Sequence, residues 1–359
     1  MKKSLIALAV LATAGVASAQ SSVTLFGVVD ATLAFGKGSG VGSSSTTQLT
    51  NSGYNGSRLG FRGTEDLGGG MSASFWLEAG VANDNGAGAA TNTNNQATGG
   101  AIAGIGGGQG LTFNRRSTVS LAGGWGELRL GRDYSPQFWN LTVFDPYVTN
   151  GVGTTQTLKS SLGGPVTVRA SNAIGYFLPG GLGGFYGQVQ HYLGENNKTG
   201  AATENDGKGT ALRLGYAAGP VNVALATSST KYATGTIKTT NLGGQYDFGV
   251  AKLMGHYNRD RVGSTPSVTG KGYLIGGLIP MGAGEIRLAY STYKTDVAGT
   301  PKSNKYALGY VHNLSKRTAL YTTVARVSNS GGAAQALNGA VTAVNNKSTG
   351  YDFGIRHSF

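Results

Sequence analysis

The side chains with the most chemical leverage in this 359-residue sequence are arginines. Arg58 and Arg62 share the segment SRLGFRG, Arg115 and Arg116 stand side by side in NRRSTVSLAG, and Arg169 lies in TVRASNAIGYFL. A guanidinium keeps its charge at physiological pH and presents a planar fork of donors. Several of them held a few ångströms apart create a positive potential that attracts anions without transforming them. Catalytic chemistry finds little footing. The four histidines, His191, His256, His312 and His357, join no Ser or Asp constellation, and their scatter suggests ordinary surface positions. There is no cysteine and no close histidine pair, so neither a metal site nor a cofactor is expected. The run GIGGGQG lacks the GxxxxGK pattern of a phosphate loop.

The elements that must position these arginines are strands. Apolar residues alternate with polar or small ones at a period of two in segment after segment. In GEIRLAYSTYK, Ile286, Leu288 and Tyr290 share one face, and Glu285, Arg287, Ala289 and Ser291 share the other. In PVNVALAT, Val221, Val223 and Leu225 oppose Asn222, Ala224 and Ala226. Sixteen such segments are expected: 23–35, 57–65, 70–80, 114–122, 125–132, 168–178, 184–194, 208–217, 220–230, 237–247, 250–260, 271–280, 284–294, 304–312, 317–327 and 348–359. Their connections alternate. Short turns such as DLGGG, AGGWG, PGGLGG, AAGP, PMGAG and NLSKR separate long polar stretches such as Ala82 to Thr112 and Ser328 to Lys347.

Composition and the first residues set the environment. Lys2 and Lys3, an apolar run from Leu5 to Val16, and the small-residue site Ala17-Ser18-Ala19 form a secretory signal over residues 1–19. The run of about a dozen apolar residues is too short to span a bilayer, which takes about 20. Without Lys2 and Lys3, the 29 Lys+Arg fall to 27 against 16 Asp+Glu, a formal charge of +11. Basic residues are spread through the strands and the chain is exported, so nucleic acid is not an expected partner. No later apolar run reaches the length of a spanning helix. With 39% hydrophobic residues in a regular pattern, the chain is not a disordered one either. A fixed-period solenoid or adhesin does not fit the variable spacing.

In lipid every backbone polar group must be paired internally, so amphipathic strands cross only as a closed barrel. Short turns on one side and long loops on the other are the pattern of an outer-membrane barrel. Sixteen strands leave an aqueous channel. The reading is therefore all-β: residues 20–359 form a 16-stranded antiparallel transmembrane β-barrel in the outer membrane of a Gram-negative bacterium.

SSVTLFGVVDATLAF, NGSRLGFRGTEDLGGGMSASFWLEAG, GELRLGRDYSPQF and the final YDFGIRHSF together resemble the trimeric general porins of Gram-negative bacteria, especially the β-proteobacterial group. The resemblance runs through essentially the whole chain after the signal. It implies a homotrimer with one pore per chain, passing small hydrophilic solutes and ions by passive diffusion. It also implies an inward-folded constriction loop, here about 133–167, whose Phe138, Trp139, Phe144 and Tyr147 would be poorly hidden in a surface loop.

Strand parity then places the charges. Leu59 and Phe61 face lipid, so Arg58 and Arg62 face the lumen; Ile174, Tyr176 and Leu178 face out, so Arg169 faces in. Parity from Val119 and Leu121 turns Arg116 inward, whereas the resemblance favours Arg115, and both stay open. Arg129 and Arg132, near the loop root, could equally pair with acids that hold that loop or with a neighbouring subunit. Where enteric members carry Pro-Glu-Phe-Gly, this chain has Asp145-Pro146-Tyr147, and Asp145 is the expected acidic counterpart. Few acids balance the arginines, so anions, and small anionic solutes among them, should be favoured. The nearest rival is a substrate-specific sugar or phosphate channel, with a barrel enzyme or surface adhesin behind it. Tyr351, Phe353, Ile355 and Phe359 share one face of the last strand, against outer-membrane lipids. Ending on phenylalanine resembles the signal read by the β-barrel assembly machinery.

Overall fold

The computed structural model describes residues 22–96 and 110–359; the expected export signal at 1–19 and most of GIGGGQG lie outside them. In chain order the strands are β1 (Ser22–Gly38), β2 (Ser45–Asn51), β3 (Arg58–Gly68), β4 (Met71–Ala82), β5 (Ala87–Gly88), β6 (Arg116–Gly123) and β7 (Gly126–Tyr134). They continue as β8 (Arg169–Phe177), β9 (Phe185–Tyr192), β10 (Gly209–Ala218), β11 (Val221–Thr230), β12 (Ile237–Asp247) and β13 (Lys252–Val262). The last are β14 (Val268–Met281), β15 (Gly284–Thr295), β16 (Lys302–Asn313), β17 (Thr318–Ser330) and β18 (Lys347–Ser358). Two helices, α1 (Pro136–Val143) and α2 (Gln156–Ser160), interrupt the stretch between β7 and β8. No helix among the described residues is long and apolar enough to cross a membrane.

Every wall strand pairs antiparallel with its neighbours, and β1 pairs with β18 from Val28↔Ser358 to Gly38↔Ser348, which closes the barrel. The wall has sixteen positions, because β2 and β3 share one. β2 pairs with the half of β1 near the long loops, and β3 with the half near the short turns. β5 is a two-residue hairpin on the end of β4. β2 is not among the expected segments because STTQLTN offers no apolar alternation; only Leu49 points outward as an apolar residue.

Alternation sorts the faces as lipid demands. In β15, Leu288 is exposed on the outside while Arg287, Ala289 and Ser291 are buried inside; in β11, Val223 and Leu225 face out and Ala224 and Ala226 face in. Aromatic rings gather at both rims of the outer surface. Trp125 stacks near Tyr176 and Phe185 meets Tyr216 at the short-turn end, while Tyr273, Tyr290 and Tyr306 pack in sequence towards the long loops. The closing strand exposes Tyr351, Phe353 and Ile355, and Phe359 lies over Gly27, where an added Cβ would meet its ring at 2.3 Å.

Candidate pore constriction

The residues from Ser135 to Val168 leave the rim and fold back against the inner wall. Their neck is cinched by Ser135 N–H donating to the Val168 carbonyl at 3.0 Å and Gln137 Nε2 donating to the Val166 carbonyl at 3.1 Å. Ser135 caps α1, its Oγ accepting from Phe138 N–H, and Pro136 opens the helix without wasting a donor. Asn140 then reaches Asn241 Oδ1 and the Ala224 carbonyl at 2.8 and 2.9 Å. Further along, Tyr147 Oη donates to the Arg287 carbonyl, Asp352 accepts from Val152 N–H, Ser291 from Gln156 N–H, and Asp260 from Ser161. Lys305 donates to the Val152 and Thr154 carbonyls. Phe144 is fully buried against Gly243, where a Cβ would lie 2.0 Å from its ring, so only glycine admits the loop this close.

Of the four aromatics expected to hide, Phe138, Phe144 and Tyr147 do. Trp139 does not: it is 39% exposed and faces the channel beside Tyr134. Asp145 corrects another expectation. It is 1% exposed, and its carboxylate accepts from the backbone N–H groups of Tyr147, Thr155 and Thr149 at 2.8, 2.9 and 3.3 Å. It therefore shapes the loop instead of offering a charge to the lumen. Burial pushes its carboxyl above the usual carboxylate range, opposed by those N–H groups and by Lys305. Beyond it, Val148 and Thr149 hold φ of 50° and 57°, unusual for β-branched residues and sustained only by the surrounding bonds.

Across from this loop stands the arginine wall. A lumen cavity of about 770 Å³ is bounded on the loop side by Trp139, Thr142, Val148, Thr149, Asn150 and Leu158. On the wall side it meets Arg58, Arg62, Arg115, Arg116, Arg129 and Arg169. Arg115 pairs with Glu78 at 2.6 Å and donates to Tyr134 Oη at 2.7 Å; Arg58 approaches the same carboxylate at 3.7 Å. Arg129 binds Asp133 at 2.6 Å and Glu127 at 2.9 Å, and Arg116 stands 3.8 Å from Asp133. Arg62 and Arg169 have no ion pair among the described residues. Six guanidinium groups against three carboxylates leave a formal +3, and the loop adds no acid to the cavity.

Aromatic faces hold the arginines in place. Arg62 lies over Phe26 and Trp76 at 5.3 and 5.2 Å, Arg116 over Trp76 at 4.6 Å, Arg129 over Phe177 at 4.0 Å, and Arg169 over Tyr134 at 4.5 Å. Such contacts orient a cation without neutralising it.

The open choice between Arg115 and Arg116 dissolves, since both border the cavity. Arg115 precedes the first residue of β6, so it escapes the pleat that would send neighbours to opposite faces. Arg132 serves structure, binding the Asn114 carbonyl at 2.5 Å and Ser171 Oγ at 2.6 Å. Sequence reasoning passed over Arg129 as a lining residue, and Arg213 and Arg356 as inner-wall residues. The same parity rule finds them, from Leu128 and Leu130, Leu212 and Leu214, and Ile355 facing out. His256, expected at the surface, is buried on the inner face of β13, opposite Gly243.

A closed sixteen-position barrel with an apolar exterior, a charged aqueous lumen and a loop folded across it defines a channel of the outer membrane. The chain belongs to the Gram-negative porin family, whose model matches residues 4–332. It is 38% identical to outer membrane porin protein 32 of Delftia acidovorans and 31% identical to an outer membrane porin protein of Bordetella pertussis, each over the whole of both chains. Among solved structures it resembles the anion-selective porin from Comamonas acidovorans with a TM-score of 0.82 and 35% identity, over 94% of this chain and all of that one. The fold is shared more distantly with OmpT of Vibrio cholerae, described in a trimer form, at a TM-score of 0.64 and 11% identity over 94% of this chain and 99% of that one.

Proposed function

We propose that this porin passes small hydrophilic solutes and ions by diffusion and favours anions. Arg58, Arg62, Arg115, Arg116, Arg129 and Arg169 set that preference, with the 135–168 loop as the opposite side of the constriction. The observation that carries the reading is the unbalanced wall: six arginines, three carboxylates, and no acid across the cavity. In a narrow aqueous passage such a field concentrates anions and depletes cations. The anion-selective relative from Comamonas acidovorans supports the same sign.

A sugar channel would present bare aromatic faces along the lumen. Here the faces of Phe26, Trp76, Tyr134 and Phe177 are covered by guanidinium groups, and the exposed Trp139 across from them is one ring and not a line of them, which suits inorganic anions and phosphorylated or carboxylated solutes better than sugars. Residues 1–19 act as the export signal and leave a mature chain beginning at Gln20. Three copies assemble in the outer-membrane lipid, each with its own pore, and the terminal Tyr351, Phe353 and Phe359 address the chain to the barrel-assembly machinery. The test is reconstitution in a planar bilayer under a KCl gradient. Conductance closing in three equal steps with a chloride-favouring zero-current potential is expected; a potassium-favouring potential overturns the selectivity, and single-step closure the trimer.

A further inference from the structure

Between β2 and β3 the chain leaves the wall for six residues, Ser52 to Ser57, and turns into the lumen. β1 holds it there. Asp30, fully buried on the inner face of β1, accepts from the N–H groups of Tyr54 and Asn55 at 2.9 and 2.6 Å and from the hydroxyls of Thr32 and Tyr321. Thr32 Oγ1 accepts from Gly53 N–H at 3.0 Å. The Asp30 backbone closes the base of the turn, its N–H donating to Ser57 Oγ and its carbonyl accepting from Ser52 N–H. Gly53 passes so near the Thr32 and Tyr321 hydroxyls that a Cβ would lie 2.6 Å from each. A buried carboxylate that gathers four donors fixes geometry, as Asp145 does in the long loop.

This turn meets both sides of the constriction. Its Gly53 carbonyl abuts the long loop at Gly151, where an added Cβ would lie 2.1 Å away, and Asn55 and Gly56 border the arginine cavity. Four arginines lean on it. Arg58 donates to the Gly56 carbonyl at 2.8 Å, and the Arg115 guanidinium lies against Gly56, where a Cβ would meet it at 2.9 Å. Arg287 and Arg356 approach the ring of Tyr54 at 4.4 and 5.2 Å. A carbonyl or an aromatic face orients a guanidinium and leaves its charge in place. The Asn55 carboxamide has no protein partner among the described residues, and it brings two N–H donors and no charge to the cavity.

We propose that the 52–57 turn is a second selectivity element of the channel, an inference that rests on the anion-favouring pore described above. Asn55 donates to a small anion as it passes and replaces part of its water shell. In a cavity that is already positive, the anion is the ion present to receive those donors. Asp30 is a positioning residue: it touches no ion, and it sets where Asn55, Tyr54 and Arg58 stand.

The chain contains no cysteine, so Asn55→Cys places a single reactive thiol at this point. Two thiosulfonate reagents, one adding a sulfonatoethyl and the other a trimethylammonioethyl group, are compared at Asn55→Cys and at Lys316→Cys, in the exposed short turn after β16. Relative to the cationic reagent, the anionic one should react at least about fourfold faster at position 55 than at position 316. The sulfonate adduct should lower the chloride-to-potassium permeability ratio about fourfold and the ammonium adduct raise it by a similar factor, as one charge about 6 Å from the ion's path does. Asn55→Leu, of similar size without donors, should lower the ratio by about twofold or more. Asp30→Leu and Asp30→Asn remove the same buried charge, but the second keeps an acceptor for the two turn N–H groups and a donor for the hydroxyls. The ratio in Asp30→Asn should therefore exceed that in Asp30→Leu by at least about twofold, the effect of displacing one arginine. Equal reagent preference at positions 55 and 316, or adducts of both charges that leave the ratio alone, would remove Asn55 from the ion path. An unchanged ratio in Asn55→Leu would overturn its donor role, and a ratio in Asp30→Leu at or above that in Asp30→Asn would overturn the positioning role. Should Asp30→Leu yield no channel, the Asn55 variants carry the decision. A wild type that favours potassium would overturn the anion preference itself, a failure distinct from the loss of opposite shifts by the two adducts.

Discussion

Arg62→Gln isolates the electrostatics of the wall with the least structural disturbance. Arg62 makes no ion pair, is exposed to lumen water, and touches its surroundings chiefly through the faces of Phe26 and Trp76. Replacing it lowers the formal charge at the cavity from +3 to +2. An ion passing about 6 Å from the guanidinium in water gains or loses about 0.7 kcal/mol, cut to about 0.4 by screening at 0.1 M salt. That corresponds to about twofold in occupancy, in opposite senses for chloride and potassium, so the permeability ratio should fall about fourfold. The assay is the zero-current potential of wild type and variant in the same KCl gradient, repeated at 1 M salt. Screening over about 3 Å should then erase most of the difference. A ratio that is unchanged, or that rises, would refute the claim that an unpaired arginine in this cavity acts on passing ions.

Three other perturbations probe the rest of the site. Glu78→Gln removes the carboxylate shared by Arg58 and Arg115, so the chloride preference should strengthen by a factor similar to that lost in Arg62→Gln; a weaker preference would show that the two arginines need their acid to stay in place. Lys305→Met leaves the Val152 and Thr154 carbonyls without their buried donor, costing about 1–3 kcal/mol for each. Single-channel records of that variant should show frequent conductance flicker, where quiet records would mean the remaining anchors suffice. For Asp145, burial raises the folded carboxyl above its unfolded value, so its contribution is fully present below the unfolded value and is lost as pH rises through the folded one. Acidification from pH 7 to about 4 should therefore not release the loop through this residue. An acid-triggered jump in conductance that disappears in Asp145→Asn would contradict that sign.

The barrel was legible in the sequence because its two environments write the same period. Lipid requires apolar side chains at every second position and the lumen tolerates polar or small ones, so Leu288 against Arg287 or Leu225 against Ala224 states the face directly. Where neither environment demands an apolar residue, as in STTQLTN, the strand is silent. The arginines on regular strands were equally readable, since parity alone turns Arg58, Arg62 and Arg169 inward. Arg115 was not readable that way, because it sits outside the pleat. The loop was half legible. Its aromatics announced a buried surface, but its anchors are polar residues such as Lys305 and Asp352, distant in the chain and ordinary in type. Asp145 misled for a related reason. An acid in an Asp-Pro-Tyr turn can face the channel or gather the turn's own N–H groups, and only the fold shows that it does the latter.

The most direct test of the central claim is to see which ion occupies the cavity. Crystals of the porin soaked in rubidium bromide, with anomalous data collected at the absorption edges of both elements, locate each ion independently. Bromide should appear between the wall formed by Arg62, Arg116 and Arg169 and the loop at 148–150, with no rubidium there. Rubidium in that position, or bromide only outside the barrel, would contradict an anion path over the arginine wall.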